Sequence, residues 1–281
     1  MADPRLIIRQ ARRADKKSLI DLCRRSVRGD YVPMFMDEFL SEGGLFIATR
    51  GEMAVGMVKY TRCLGGDGWL GAARTDPKHR RQGIASALIE ACFQHAAIEK
   101  AKNVRLWSNR GNKAAQAAIR SMGFREIGMF KRVTRRVRKP TAEFGLTAVS
   151  NPGSVMSLIG KSEILGQSKG YAALVNEFMK VDERVISDAC RKGNLLRYED
   201  NICLVESNPW YGKWRVLEFF PLAGDVSTII DQVNVLARRV RRGTIHTYVP
   251  VNSKMARTAY AKGFKVVHWG EDAVLFERRV R

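Results

Sequence analysis

Two stretches of this sequence recur in the same order in its two halves, and this internal similarity is the strongest constraint on its fold. Residues 112–124 and residues 252–264 have the same length, begin with asparagine and end with Gly-Phe. At an offset that differs by one residue, residues 83–90 match residues 224–231. Two collinear matches predict that a single fold occurs twice in the chain.

The length of the chain agrees with two domains. It has 281 residues, whereas a single domain usually has about 100–200. We place the boundary at the Lys139-Pro140 step, where the regular pattern ends, so the predicted domains are residues 1–139 and 140–281. In the first domain, hydrophobic periodicity and turn residues predict the order β-α-α-β-β-β-α-β-α-β. This order is typical of an α/β fold with a mixed central sheet flanked by helices.

The charge of the chain limits its partners more than its fold. Lysine and arginine number 49 and aspartate and glutamate 28, which gives a formal net charge of +21. Basic clusters lie in residues 132–139, 238–242 and 277–281. Two interpretations stay open: the binding of a nucleic acid or of a protein associated with one, and a solvated arginine-rich surface.

Other features argue against whole classes of protein. No uninterrupted apolar run approaches the ~18 residues of a membrane span, and the first residues lack the order of a secretion signal. We therefore expect a cytoplasmic protein with no membrane partner. The five cysteines show no CxxC or Cys/His spacing, so we expect no metal site.

The chemistry is predicted where a strand at residues 69–75 leads through a basic turn into a helix that opens at Gln82-Gly83. Backbone N–H groups and the positive end of the helix dipole converge at such a start. Gly83 and Ala85 leave room for a phosphate to approach the backbone, and Arg80 and Arg81 add positive charge. The segment is a predicted anion-binding turn.

The spacing Arg80-x-x-Gly83-x-Ala85 resembles the pyrophosphate loop of the GNAT (Gcn5-related N-acetyltransferase) superfamily, and the resemblance extends over roughly residues 6–134. It implies acetyl-CoA as cosubstrate, with transfer to an amine by direct attack in a ternary complex. The sequence leaves open whether the protein is a monomer or a dimer. The pyrophosphate would lie on the turn and the pantetheine along the preceding strand. The residues implied to bind it are Ala73, Arg74, Thr75, Arg80, Arg81, Gln82, Gly83, Ile84, Ala85, Ser86 and Asn112. For Asn112, a role as helix N-cap is an equal alternative.

The sequence departs from the family at the proton-transfer groups. Members often place a tyrosine acid four residues before the Gly-Phe pair, where this chain has Ile119. The acid is then supplied elsewhere, replaced by water, or not needed. The predicted fourth strand contains no carboxylate; Asp67, just before it, is the nearest candidate base, with a turn residue as the alternative.

The acceptor side is expected at the first two helices and their loop. Asp30, Tyr31, Asp37 and Glu38 would form a local acidic lip that admits an amine, whereas the plain alternative is a solvated helix face. The sequence leaves open whether the acceptor is a protein lysine, a protein N-terminus or a small amine, and whether the acyl group is acetyl or longer.

The second half is predicted to keep the fold and to lose the chemistry. Residues 171–179 and 182–192 are predicted helices, and residues 195–205 and 214–221 predicted strands. At the position of the basic turn, residues 221–226 contain no arginine and place Asp225 where a phosphate would rest. We therefore expect a degenerate GNAT-like domain. The alternative function for the whole chain is a non-catalytic module that binds acetyl-CoA or nucleic acid.

Overall fold

The computed structural model describes residues 5–139, 142–206, 215–267 and 272–280. The chain divides into two compact units. The first consists of residues 1–62, 66–104 and 278–281, and the second of residues 63–65 and 105–277. The predicted boundary adjoins residues 140 and 141, which lie outside the described residues, and it stays a prediction.

Among the described residues, the first unit contains four complete antiparallel strands and three α-helices. In chain order these are β1 Leu6–Gln10, α1 Lys16–Ser26, α2 Met36–Glu42, β2 Leu45–Arg50, β3 Met53–Arg62, β4 Gly68–Thr75 and α3 Ile84–Ile98. The strands pair in the order β1-β2-β3-β4. The first seven elements of the predicted order are thus confirmed, and so is the helix predicted to open at Gln82-Gly83.

The helix α3 packs closely on the middle of the sheet because β3 has a glycine at the contact. A Cβ atom at Gly56 would lie 2.6 Å from Ile84 Cγ2 and 2.9 Å from Leu88 Cδ1. Ile84 and Leu88 are each 1% exposed, so the first turn of α3 is anchored by its apolar face. This contact determines where the helix N-terminus lies relative to β3.

The second unit begins within β5 Asn103–Asn109, whose first two residues belong to the first unit. It continues with α4 Lys113–Ser121, β6 Arg125–Arg136, β7 Thr147–Ala148, α5 Gly153–Gly160, α6 Glu163–Gln167, β8 Tyr171–Leu174, β9 Glu177–Lys180, α7 Glu183–Arg191, β10 Leu195–Tyr198, β11 Asn201–Glu206, β12 Val216–Ala223, α8 Val226–Arg239, β13 Thr244–Pro250, α9 Lys254–Ala261, β14 Lys265–Val266 and β15 Ala273–Arg279. Its strands follow the order β15-β6-β13-β12-β11-β10-β7. The pair β12–β13 is parallel and the other described pairs of this path are antiparallel. The mixed sheet confirms the predicted fold class.

The helix predicted over residues 171–179 is wrong. These residues form the antiparallel hairpin β8–β9, in which Leu174 pairs with Glu177. The two residues of its turn, Val175 and Asn176, have φ angles of 54° and 64°. Such a turn matches the twist of paired strands, but it is usually marked by glycine, which is absent here. The apolar residues on both sides therefore resembled one continuous helix face.

A buried ion cluster fastens the strands of the second unit. Glu277 accepts hydrogen bonds from Arg105 Nε at 2.8 Å, Arg125 Nη2 at 2.8 Å and Tyr171 Oη at 2.9 Å. Burial alone would raise the pKa of Glu277, but these donors outweigh it and hold the pKa below its ordinary value. Because every partner comes from a different strand, the carboxylate holds four strands together.

The two halves share a succession of elements. Strand, helix, strand, helix occurs as β4-α3-β5-α4 and again as β12-α8-β13-α9. This repetition supports the proposed duplication. None of the helices in the described residues has both the length and the apolar character needed to cross a membrane.

Candidate functional site

The connection from β4 to α3 begins at a buried carboxylate. Asp76 is 3% exposed; it accepts hydrogen bonds from the Lys78 N–H at 3.0 Å and from Arg25 Nε at 2.8 Å. Burial raises the pKa of Asp76, but the hydrogen bonds from Arg25 and Lys78 outweigh it, so the net pKa lies below its ordinary value. Asp76 is thus an ionised anchor for the start of the turn.

The N-terminus of α3 has no side-chain cap. Gly83 occupies the N-cap position with φ 74° and makes no capping hydrogen bond. The first bond of the helix runs from the Ala87 N–H to the Gly83 carbonyl at 3.0 Å. The N–H groups of residues 84–86 therefore have no acceptor within the helix and carry the positive end of its dipole.

This helix start is open to an anion. Gly83, Ala85 and Ser86 are exposed, and a Cβ atom at Gly83 would meet no atom within 4 Å. Arg80 and Arg81 are also exposed, and Arg81 has the left-handed φ of 61°, a conformation that costs a non-glycine residue about 1–2 kcal/mol and is concentrated at functional sites. Backbone donors, a dipole and two guanidinium groups together suit a ligand with several phosphate charges.

The predicted residues on this turn are brought together as expected, with differences in detail. Ile84 is buried and serves as an anchor, so its contribution to a ligand would be its backbone N–H. Gln82 is held by Arg50, whose Nη2 donates to Gln82 Oε1 at 3.1 Å. This contact ties the turn to the end of β2.

An irregularity in β4, which the sequence did not predict, changes the course of the strand. Arg74 pairs with Met57 and Gly71 with Lys59, so three steps along β4 correspond to two along β3. Ala72, inside this bulge, has φ 51°. A bulge bends its strand and changes the direction of the backbone, and bulges are frequent next to active sites. Ala73, the next residue, is exposed, and its backbone is one of the predicted cofactor contacts.

The side chain of Arg74 is committed to an internal ion pair. Its Nε and Nη2 each donate to Asp30 at 2.7 Å, and its Nη1 donates to the Ala73 carbonyl at 2.9 Å. The Asp30 side chain is 1% exposed; burial raises its pKa, but Arg74 and the Val32 N–H outweigh this and lower the net pKa. If Arg74 binds the cofactor as predicted, the contact would therefore be made by its backbone groups and not by its side chain. The bidentate pair holds the bulged strand against the residues after α1.

The acidic lip predicted for an amine acceptor is not formed by these side chains as expected. Asp30 faces Arg74, and Asp37 pairs with Lys16 at 2.7 Å. Tyr31 is 43% exposed and Glu38 is partly exposed. Of the four predicted residues, Tyr31 and Glu38 are the ones that remain as candidate contacts to an acceptor.

Asp67 lies at the beginning of β4, whereas the open turn follows its end. Eight residues of extended strand separate the two by about 25 Å. Asp67 is 5% exposed and accepts hydrogen bonds from the N–H groups of Lys102 and Asn103 and from Asn103 Nδ2, at 3.1 to 3.2 Å. This position favours the turn-residue alternative, and the prediction of a catalytic base gains no support from it.

Two further predicted positions belong to the second unit. Asn112 Oδ1 accepts a hydrogen bond from the Ala115 N–H at 3.1 Å and so caps α4, which is the alternative considered for it. Ile119 is buried, 8% exposed, and offers no proton. Its position gives no replacement for the tyrosine that the resemblance leads one to expect.

The corresponding helix start in the second unit is closed. Asp225 caps α8, accepting from the Thr228 N–H and hydroxyl, both at 2.8 Å. The Asp225 N–H itself donates to Asn201 Oδ1 at 2.7 Å, and a Cβ atom at Gly224 would collide with Asn201. A cavity of about 340 Å³ beside it is lined by carboxylates and lysines: Glu163, Asp200, Asp225, Lys161 and Lys254. The Thr228 N–H, which corresponds to the open Ser86 N–H of α3, is thus already used in α8.

Other nucleophiles and metal ligands are not assembled in the described part of the chain. Among these residues, no group of three His, Cys, Asp or Glu side chains is arranged to hold a metal ion. Burial raises the pKa of the Cys23 thiol, and that of Cys203, to about 12. These two thiols would be protonated at neutral pH and are poor nucleophiles.

Comparison with known protein families gives a match in the first part of the chain. The family model described as Acetyltransferase (GNAT) family matches residues 16–124. The comparison with curated protein sequences gave no match.

Solved structures match the fold of nearly the whole chain. A GCN5-related N-acetyltransferase from Sphaerobacter thermophilus is 14% identical with a TM-score of 0.62, and the match covers 98% of this chain and 96% of that one. A candidate acetyltransferase from Pyrococcus horikoshii is 16% identical with a TM-score of 0.60 over 98% and 90% of the two chains. One from Thermoplasma acidophilum is 13% identical with a TM-score of 0.60 over 97% and 99%. At this level of identity the structures show the fold, and the family model shows that residues 16–124 are similar to the GNAT family of acetyltransferases.

Proposed function

We propose that the protein is an N-acetyltransferase that binds acetyl-CoA at the N-terminus of α3 and transfers the acetyl group to an amine. The uncapped, exposed helix start with Arg80 and Arg81 carries this proposal. Its open N–H groups and positive charge match the pyrophosphate of CoA, which has several negative oxygens.

The cosubstrate would extend from the turn along β4. The pyrophosphate would lie on the backbone of residues 81–86, with the Ser86 hydroxyl as a further donor. The pantetheine would pair with the backbone of residues 73–75, past the bulge at Ala72. A backbone N–H there would stabilise the negative charge that develops on the thioester oxygen during attack.

The reaction would be a direct transfer. The amine nitrogen forms a bond to the acetyl carbon while the carbon–sulfur bond breaks, the thiolate of CoA leaves, and the amine proton passes to solvent or to a base. We assign no general base or acid among the described residues: Asp67 is held by three N–H donors, and Ile119 cannot transfer a proton. The acceptor is either a protein amine or a small amine. The route by which its proton leaves is not assigned to any residue.

The second copy would not bind CoA. Asp225 puts a negative charge at the helix start and already accepts the Thr228 N–H, one of the groups that a phosphate would need. We propose that this degenerate domain supports the first one, as a structural partner.

Calorimetric titration of acetyl-CoA tests the site. The key variant is Gly83→Asp, which reproduces the arrangement at Asp225, and the matched control is Gly83→Asn, which has the same shape without the charge. Both residues tolerate a positive φ better than most. We expect the aspartate variant to lose at least about tenfold more affinity than the asparagine variant, because repulsion adds to steric blocking. Equal affinity in wild type and Gly83→Asp would overturn the proposed site.

Transfer itself is tested by release of the CoA thiol with a panel of acceptors that includes lysine peptides, peptides with free N-termini and amino sugars. Thiol release that depends on one acceptor class would establish the enzyme. Binding of acetyl-CoA without release for any class would favour the alternative, a non-catalytic acyl-CoA-binding module, to which the absence of an assigned acid and base also points.

A further inference from the structure

Two basic clusters that are about 100 residues apart in the sequence meet at one end of the second unit. In the β6–β13 pair, Arg136 lies opposite Thr244, and the Val137 N–H donates to the Gly243 carbonyl at 2.9 Å. The strand β13 begins directly after α8 and its basic C-terminal turn, residues 238–242. The end of β6 and the end of α8 therefore lie side by side.

Further contacts extend this surface. Asn234 on α8 joins the segment after β6, because its Oδ1 accepts from the Arg138 N–H at 2.9 Å and its Nδ2 donates to the Arg138 carbonyl at 3.1 Å. Arg215 Nε donates to the Arg241 carbonyl at 2.9 Å. Lys265 pairs with Thr134 on the other edge of β6. We call the surface formed by Arg136, Arg138, Arg215, Arg238, Arg241 and Lys265 the basic end.

Two other arginines of the same sequence clusters are buried and do not belong to the basic end. Arg132 and Arg135 are 7% and 6% exposed; Arg132 donates to Glu218 at 2.8 Å and Arg135 to Asn234 at 3.1 Å. All six residues of the basic end are exposed. The buried arginines stabilise the unit, and the exposed ones remain available for a partner.

The composition of the surface indicates the kind of partner. The described segments that form it, residues 136–139, 215, 238–243 and 265–267, contain no carboxylate. A dense field of one sign attracts a polyanion. A duplex presents one phosphate per about 1.7 Å along its axis, against about 3.4 Å for one strand, and so matches a dense set of cations better than a single strand does.

We propose that the basic end binds the phosphate backbone of a nucleic-acid duplex. This proposal does not rest on the acetyl transfer proposed above. The contacts would be made by guanidinium and ammonium groups to phosphate oxygens, which gives affinity with little sequence preference.

The test measures fluorescence anisotropy of a labelled DNA duplex and a labelled RNA duplex, each titrated with the full chain at several salt concentrations between about 50 and 200 mM. The main variant changes Arg136, Arg238, Arg241 and Lys265 to glutamine. The matched control changes four exposed cations elsewhere in the same unit to glutamine, namely Lys161, Arg184, Arg191 and Lys192, and has the same net charge. A third variant changes Arg136, Arg238 and Arg241 to lysine and keeps the charge of the basic end.

We expect the main variant to bind at least about tenfold more weakly at low salt, with a log–log salt slope less steep by up to about 3.6, since each lost phosphate contact removes about 0.9. The control and lysine variants should stay within about threefold of wild type. The proposal fails if main and control variants lose equal affinity, if the wild type binds neither duplex, or if it binds the corresponding single strand more tightly than either duplex. Far-UV circular dichroism of each variant confirms that a loss does not reflect unfolding.

Discussion

The ion pair between Asp30 and Arg74 offers a sharp test of how the first unit holds its bulged strand. The side chains are 1% and 14% exposed and joined by two hydrogen bonds of 2.7 Å. Replacing Asp30 by asparagine keeps the shape and removes the charge, which leaves a largely buried guanidinium without its counter-ion. Breaking a buried pair in this way costs about 3–5 kcal/mol. We expect the lower end, about 3 kcal/mol, because Arg74 keeps some exposure and its bond to Ala73.

The measurement is the free energy of unfolding in urea for Asp30→Asn, Arg74→Met and the double variant. Each single change should cost about 3 kcal/mol, and the double variant should cost little more than either, because the second change removes the stranded partner. The exposed pair of Asp37 and Lys16 is the control: Asp37→Asn should cost no more than about 1 kcal/mol. A loss for Asp30→Asn as small as the control, or additive single changes, would refute this account of the pair.

The pH dependence follows from the lowered pKa of Asp30. A carboxyl whose folded pKa is depressed contributes stability that is fully present above its unfolded pKa of about 3.9 and is lost as the pH falls through the folded value. The difference in stability between wild type and Asp30→Asn should therefore be constant near neutral pH and shrink below about pH 4. A difference that grows towards acid pH would contradict an ionised Asp30.

Three further predictions concern other parts of the chain. Asp225→Ala should destabilise the second unit by about 0.5–2 kcal/mol through loss of the α8 cap, measured by urea unfolding, and it should not create a second acetyl-CoA site by calorimetry. Glu277→Gln should cost about 3 kcal/mol near neutral pH, with the deficit vanishing as the pH falls below about 4, because the folded pKa of Glu277 is lowered and wild type then loses the same charge. The thiols of Cys92 and Cys203, whose pKa values burial raises, should react with an aromatic disulfide only after denaturant is added; rapid labelling of the native protein would show them accessible.

The parts of the fold that depend on local pattern were predictable. The apolar stripe of α3 follows from its helical periodicity, and β2 and β3 follow from two β-rich runs separated by the Arg50-Gly51-Glu52 turn. The open helix start could also be predicted, since Gly83 and the two arginines before it are adjacent in sequence. The second copy was predictable from the two matched segments, and its loss of the anion-binding turn from Asp225.

The parts that depend on pairing between distant residues were not predictable. The bulge at Ala72 is a matter of register between two strands, and its local signal, the small residues of Gly71-Ala72-Ala73, is shared by many ordinary strands. Asp30 and Arg74 are separated by 44 positions, so a free carboxylate and a paired one look alike in the sequence. Burial also depends on contacts with residues distant in sequence. The sequence therefore shows where the arginines cluster, but not which of them are buried and which are exposed.

The open start of α3 has a thermodynamic consequence. An anion that accepts the N–H bonds of residues 84–86 would do for α3 what the Asp225 carboxylate does for α8. Any ligand that binds only the folded protein raises its stability, by about 2.7 kcal/mol at a hundredfold excess over Kd. The first unit would therefore melt at a temperature that rises with the concentration of free cosubstrate, while the α8 region, with its anion built in, would not respond. The stability of α3 would then depend on the concentration of acetyl-CoA, whereas the stability of α8 would not.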